Sequence, residues 1–358
     1  MWRIRRKARG SRRKGVGFTT RLFAIVVLCL GPCALCLAQS LATYEGPDRE
    51  QKLVEAAKGE GGKILWYTTT PVEFAQQLVE PFEKRYGIKV EIWRARSELI
   101  SQRVLTEARS GRPSVDVVHS ISPPMELLHR ERHLLEIRSP SHRDLIAGAV
   151  PAHREWASTL QYVFVQAYNT ERVKREELPR TYRDLLDPRW KGRLGIESSD
   201  HEWATEVMRE LGERDGERFF RALVRTQGLS ARTGHPLLTN LTASGEVPLA
   251  LTVYQYSVEQ AKKKGSPIEW FAIEPAIAIA DGIAVARRAP HPNSALLFYD
   301  YMLGPEAERI VAKIGYVPTS TKVPSPLRAL RLKVLDAAIL LDEHDRSSER
   351  FDAILRDR

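Results

Sequence analysis

The chain has 358 residues, of which 43% are hydrophobic and 28% charged, and a formal net charge of +10. That length fits two domains of about 150 residues each, and an ordinary composition without low-complexity tracts excludes a disordered or fibrous protein. The basic excess is no mark of a nucleic-acid binder: residues 1–38 hold nine Lys and Arg and no Asp or Glu, which leaves 10 − 9 = +1 for the rest.

Residues 1–38 read as a secretory signal peptide, with a basic start, an apolar run over 22–37 and the small residue Ala38 at the cleavage point. The run is short for a membrane span of roughly 20 residues. All three cysteines, Cys29, Cys33 and Cys36, lie inside it, so the mature chain is expected to have no disulfide, thiol or cysteine–metal chemistry. Neither Cys33 nor Cys36 follows the small residue of a lipoprotein signal. The pair Arg12-Arg13 is similar to part of a twin-arginine signal, so both Sec and Tat export stay open. The expected location is the periplasm.

The mature chain begins with a short helix over 50–58 and a glycine turn over 59–62, then a buried strand over 63–67. Thr68, Thr69 and Thr70 follow. An amphipathic helix with Val72, Phe74, Leu78, Val79 and Phe82 on its apolar face stops at Gly87. A strand over 89–93, a helix over 98–110 and a strand over 115–119 come next, the last opening into Ser120-Ile121-Ser122. Strands alternating with helices predict a largely parallel sheet, and the loops after its strands gather at one edge, where open α/β sheets bind ligands.

The β-prone run over 160–168 stands where one lobe can hand over to another. A second βα series follows. It has a short helix over 182–186, a turn at Asp187-Pro188, a strand over 193–196, and a polar loop in which Ser198, Ser199 and Asp200 can cap the next helix. Helices are expected over 201–211, 216–226, 237–244 and 256–264, and strands over 248–253 and 268–271. Two short strands around Asp281-Gly282, within 275–286, make the return crossing, and helices over 293–303 and 305–314 close the fold. No repeat of 20–50 residues is present.

Several polar groups fall at strand ends. Thr68, Thr69, Thr70, Ser120 and Ser122 on one lobe, and Ser198, Ser199 and His201 on the other, offer hydroxyls and helix-start amides that can hold a polar solute, or can simply shape loops and caps. Tyr254 and Tyr256 end an apolar strand. As phenolates they would suit ferric iron, and as phenols they can stack or hydrogen-bond; a helix starting at Tyr256 would turn them apart. Glu274 and Asp281 flank the return crossing, where they can meet a cation or brace a hinge. His129 and His133 have helical metal spacing, but His-Arg-Glu-Arg-His is not the zincin pattern. No phosphate loop, nucleophile elbow or assembled acid–base set is present, so the chain reads as a binder and not an enzyme, with no cofactor.

The run Asp184-Leu185-Leu186-Asp187-Pro188-Arg189-Trp190-Lys191-Gly192 resembles a phrase of the periplasmic solute-binding proteins of ABC importers, in the group that includes ferric-iron and thiamine binders. The same family is resembled by Phe82 to Val90, Asp116-Val117-Val118, Tyr168-Asn169-Thr170, Ser244-Gly245-Glu246-Val247, Asp281-Gly282-Ile283-Ala284 and Gly315-Tyr316-Val317-Pro318. The resemblance implies a two-lobed α/β fold of the type II, Venus-flytrap arrangement with a hinged interlobe cleft. Lobe 1 would hold 39–162 and 276–358, and lobe 2 would hold 163–275. It implies a monomeric receptor that closes on a small solute, ferric iron or a polar organic such as thiamine, and delivers it to an ABC permease and ATPase; the alternatives are a ligand-sensing module for a signalling receptor and, behind it, a hydrolase or transferase on the same scaffold. Iron-binding members use adjacent tyrosines after the strand corresponding to 248–253, with a histidine in the first loop. Here the tyrosines are split by Gln255, and the first loop carries threonines.

Overall fold

A computed structural model describes residues 40–357, so the signal-peptide reading and its three cysteines lie outside the described residues. The described chain is mixed α/β, and its strands join in one eleven-stranded sheet. Among the described residues no helix is long and apolar enough to cross a membrane.

One end of the sheet is a parallel trio. Strand β1 (Lys63–Thr68) pairs with β2 (Lys89–Arg94) and β3 (Val117–Ile121), and helix α1 (Arg49–Ala57) precedes the set. Helix α2 (Val72–Tyr86) buries Ala75, Leu78, Val79 and Phe82, the four- and three-residue spacing of one helical face. Gly87 ends it in the left-handed conformation at φ 68°, which glycine adopts without a Cβ penalty. Helices α3 (Ser97–Arg109) and α4 (Ser122–Arg130) cover the same end.

The other end is a second parallel trio, in which β5 (Leu194–Glu197) pairs with β6 (Ser230–Arg232) and β7 (Leu249–Tyr254). Helices α5 (His201–Glu210), α6 (Glu213–Gln227), α7 (His235–Ala243) and α8 (Gln255–Lys263) pack around it. The segment most recognisable in the sequence forms two 3-10 turns, Tyr182–Leu186 and Pro188–Trp190, that drop Tyr182, Leu185 and Trp190 into this core beside Trp203. It is scaffold.

Two long antiparallel strands join the trios. β4 (Ala157–Asn169) pairs with β9 (Ala276–Val285) as far as Val163, and from Phe164 onward it pairs with β7 and then β8 (Ile268–Phe271). β9 in turn places Ala280 and 283–285 in the first core and Ile277 and Ile279 in the second. The expectation of two short strands around Asp281-Gly282 is corrected, since both residues lie buried inside one continuous strand. Backbone pairing of Asp281 with Ile121 and Leu160 on either side removes any room for a turn.

Helices α9 (Pro292–Met302) and α10 (Pro305–Ile314) return to the first end. Glu60 caps α9: its carboxylate accepts from the amides of Asn293 and Ser294, from Asn293 Nδ2 and from the Ser294 hydroxyl, at 2.7–3.0 Å. An anion at a helix start satisfies orphan amides and meets the positive dipole end. Strands β10 (Val317–Pro318) and β11 (Leu332–Val334) and helix α11 (Ala337–Leu355) finish the chain. α11 buries Phe351 and Ile354 among the aromatic side chains of the second core. It also reaches α4 through the Arg130–Asp342 ion pair.

Candidate functional site

The handover point of β4 gathers four tyrosines from three distant stretches. Tyr162 lies one residue before the last β4–β9 pair, and Phe164 pairs with Tyr254 at the end of β7. Tyr256 follows in α8, and Tyr316 immediately precedes β10, which pairs with Gln161 and Leu160 of β4. The Tyr162 ring is the hub, with centroids 5.1 Å from Tyr254, 5.9 Å from Tyr256 and 5.8 Å from Tyr316. Tyr254 and Tyr256 are 5.8 Å apart and nearly parallel, and Tyr256 and Tyr316 are 4.5 Å apart. Helix α8 begins at Gln255, yet both tyrosines stay on the cluster. The expectation that a helix start would separate them is corrected.

Below the hub, the Tyr162 hydroxyl donates to Asp281 Oδ2 at 3.1 Å, while Oδ1 is buried without a partner. His119 stands 3.8 Å from the same carboxylate. Its tautomer follows from its neighbours. The Thr159 hydroxyl donates to the Asp281 carbonyl, so His119 Nε2 must donate to Thr159, at 2.8 Å, and Nδ1 must accept from Thr68 and Thr70 at 3.2 and 3.3 Å. Burial pushes the His119 pKa down and the Asp281 pKa up, with each group's charge on the other opposing that shift.

On the far side the His235 ring packs 3.9 Å from Tyr254 and pairs through Nε2 with Asp200 at 3.1 Å. Burial lowers the His235 pKa and Asp200 raises it, and the net shift is upward; burial raises Asp200. All four phenols are shifted above 10, burial being the largest cause for each. Next in weight come Asp281 for Tyr162 and Asp200 and Glu202 for Tyr254, whereas for Tyr256 a hydrogen bond with Ser257, which lowers the pKa, precedes Asp281. No Lys or Arg is among the leading influences on any of them. Such a nest holds neutral phenols until a strong cation arrives to replace their protons.

The polar loops divide into hydroxyls with partners and hydroxyls without. Thr68 and Thr70 orient His119, whereas the hydroxyls of Thr69, Ser120 and Ser122 are buried with no hydrogen-bond partner among the described residues. Ser198 is turned to Thr233 at 2.9 Å, and Ser199 donates through both amide and hydroxyl to Glu197. Asp200 occupies the N-cap position of α5 but makes no side-chain cap, because its carboxylate is engaged by His235. The expected capping by Asp200 is therefore corrected. His201 turns toward His344 of α11. Glu274 receives the Arg331 amide at 3.4 Å, beside the start of β9. His129 stacks on His153 at 3.6 Å and meets Glu155, and His133 is not part of that stack.

Sequence reasoning missed Tyr162, Tyr316, His119 and His235. Tyr162, His119 and His235 sit in apolar or loop runs with no local motif, and Tyr316 stands in the family-like phrase over 315–318 with nothing there to mark it as a site residue; only the tertiary fold brings them together. The return crossing at Asp281 was the available signal for Tyr162, its partner across β9.

Residues 152–340 match the family model of the bacterial extracellular solute-binding proteins. Iron uptake protein A1 of Synechocystis sp. is 24% identical over 289 residues, 74% of this chain and 78% of that protein. The Fe(3+)-binding periplasmic protein of Serratia marcescens is 22% identical over 327 residues, 87% of this chain and 94% of the relative. The crystal structure of iron-bound HitA from Pseudomonas aeruginosa superposes with a TM-score of 0.71 at 20% identity, covering 82% of this chain and 99% of that one.

Proposed function

The chain belongs to the bacterial extracellular solute-binding protein family, and from that premise we infer that it is a periplasmic receptor for ferric iron serving an ABC importer. The observation that carries the choice of solute is the cluster of Tyr162, Tyr254, Tyr256 and Tyr316 in surroundings whose leading charges are carboxylates. Ferric iron is a hard cation, and phenolate oxygen is a hard ligand. An anionic solute would want Arg or Lys at the same place. The iron names of the two relatives agree with this reading, and thiamine has no support among them.

In this reading Tyr254 and Tyr256 ligate the iron, with Tyr162 and Tyr316 as the other candidate phenolates. Asp281, tied to Tyr162, balances the added charge. Ser198, Ser199 and Glu274 hold the scaffold. Because β4 and β9 both cross between the cores, closure about those strands would let one solute touch residues from both ends of the sheet, and a solute that binds the closed form better shifts the population toward it.

A thermal-shift comparison of chelator-stripped protein tests the assignment. Ferric citrate should raise the melting temperature in proportion to the logarithm of its excess over Kd, and thiamine or a sugar phosphate should not. A shift with an organic solute and none with iron would replace iron as the cargo.

A further inference from the structure

A second group of metal-ligand atoms, sharing no residue with the tyrosine quartet, lies between α5 and the C-terminal helix α11. His201, Glu202 and His344 each offer one ligand atom, and these atoms lie within 4.8 Å of one another. His201 Nε2 is 3.4 Å from His344 Nδ1 and 3.3 Å from Glu202 Oε1. A tetrahedral ion with bonds of about 2.0–2.1 Å holds its ligand atoms about 3.3–3.4 Å apart. The observed spacings match two edges of that tetrahedron.

The protonation of His201 is fixed from behind. Its Nδ1 is 2.8 Å from the Ser199 carbonyl, an acceptor, so Nδ1 carries the hydrogen and Nε2 presents a lone pair. That is how a metal-binding imidazole is held, its outer nitrogen donating to a backbone carbonyl. The lone pair faces Glu202 Oε1 at 3.3 Å, a spacing that a proton or a metal ion between the two atoms can bridge. Burial lowers the His201 pKa, and its leading charged neighbours, Asp200, Asp352 and Glu197, oppose that shift. These offset the positive end of α5, at whose first position His201 sits. Arg209 and Lys333 along the same groove are paired with Glu343 and with Glu206 and Glu210. His201 is buried, Glu202 partly buried and His344 exposed, which leaves one side open for a fourth ligand from solvent.

The neighbouring group Glu197, Asp200 and His235 differs. Glu197 already accepts from the amides of Ser199 and Gly234 and from the Ser199 hydroxyl, and Asp200 Oδ1 is paired with His235 Nε2 inside the group, so ligation by those atoms would first have to break these bonds.

We propose that His201, Glu202 and His344 form a divalent-cation site of the zinc class that fastens α11 to α5. Two imidazoles and one carboxylate suit zinc, nickel or cobalt, where the phenol cluster suits a hard trivalent ion. The site does not depend on iron being the cargo.

The test uses the full exported chain without a polyhistidine tag, stripped with chelator and titrated with Co2+ and Zn2+. The wild type should take up one Co2+ with the visible ligand-field bands of a tetrahedral ion, Zn2+ should displace it, and hydrogen exchange along α11 should slow. His344→Gln and Glu202→Gln should each weaken binding at least about tenfold, while the ferric-iron response of His344→Gln stays as in wild type. Undiminished Co2+ affinity in both variants, absence of Co2+ and Zn2+ uptake by the wild type, or loss of the Co2+ bands in Tyr254→Phe would each overturn the proposal. A failure of iron binding would leave the Co2+ result readable, so the two assignments fail separately.

Discussion

Tyr254 and Tyr256 lie with ring centroids 5.8 Å apart and planes within 18° of parallel, although a residue separates them and a helix begins between them. Tyr254 closes β7 in extended conformation, and the first turn of α8 carries Tyr256 round onto the same side, where Tyr162 touches both. A split pair of tyrosines thereby offers two phenols to one place.

Loss of either hydroxyl should separate binding from stability. Tyr162 donates to Asp281, whose other oxygen is already unpartnered, so Tyr162→Phe leaves a buried carboxyl with still fewer partners. The expected cost is about 1–3 kcal/mol in urea unfolding of the iron-free protein. The Tyr254 hydroxyl makes no hydrogen bond among the described residues, so Tyr254→Phe should unfold within about 0.5 kcal/mol of wild type and lose iron affinity.

Iron affinity should climb with pH. The phenols are shifted upward by burial, so they are protonated in the empty protein at neutral pH, and each one that becomes a ligand must release its proton. Competition against a chelator of known pH dependence should show about tenfold tighter binding per pH unit for each phenolate formed. Affinity that does not change between pH 6 and 8 would mean that the phenols do not ligate.

Glu308 gives stability a pH slope of the opposite sense. Burial pushes its carboxyl up to about 8; the Ser320 amide donates to it, and because the Thr319 hydroxyl donates to the Ser158 carbonyl, the protonated carboxyl donates to Thr319. The folded state then holds a proton that the unfolded chain releases near the ordinary value of 4.5, so this group's contribution is fully present below about pH 4.5 and is lost as pH rises through about 8. Over that window the slope should be up to about 1.4 kcal/mol per pH unit, and Glu308→Gln should flatten it in denaturation at several pH values.

The glycine of Asp281-Gly282 is needed for space. A Cβ on Gly282 would come 2.7 Å from Cε3 of the buried Trp156 ring, so Gly282→Ala should cost about 1–3 kcal/mol by overpacking, read as a lower unfolding midpoint. The same pair explains an error of reading. Asp-Gly is a strong turn signal in isolation, yet here glycine makes room for an indole and aspartate reaches Tyr162, within one strand.

Other elements were legible because local chemistry and tertiary packing agree. The strand expected over 63–67 is β1 (Lys63–Thr68), an apolar run bounded by glycine, and the helix ended by Gly87 is α2. The segment around Trp190 is recognisable for packing reasons, since that ring is buried in the second core. Of the candidate site, Tyr254 and Tyr256 were readable as the end of an apolar strand, and Asp281 from its place in the crossing. Tyr162 and Tyr316 were not, because pairing across β4, β9 and β10 assembles them from positions 154 residues apart (316 − 162 = 154). Strand register is a long-range property that no local pattern encodes.

The most direct measurement is a visible absorption titration of the chelator-stripped protein with ferric citrate. The account predicts a phenolate-to-iron charge-transfer band that saturates at one iron per chain, weakens or shifts in Tyr254→Phe and Tyr256→Phe, and is abolished in the double variant. Iron binding with no such band, or a band unchanged in the double variant, would contradict it.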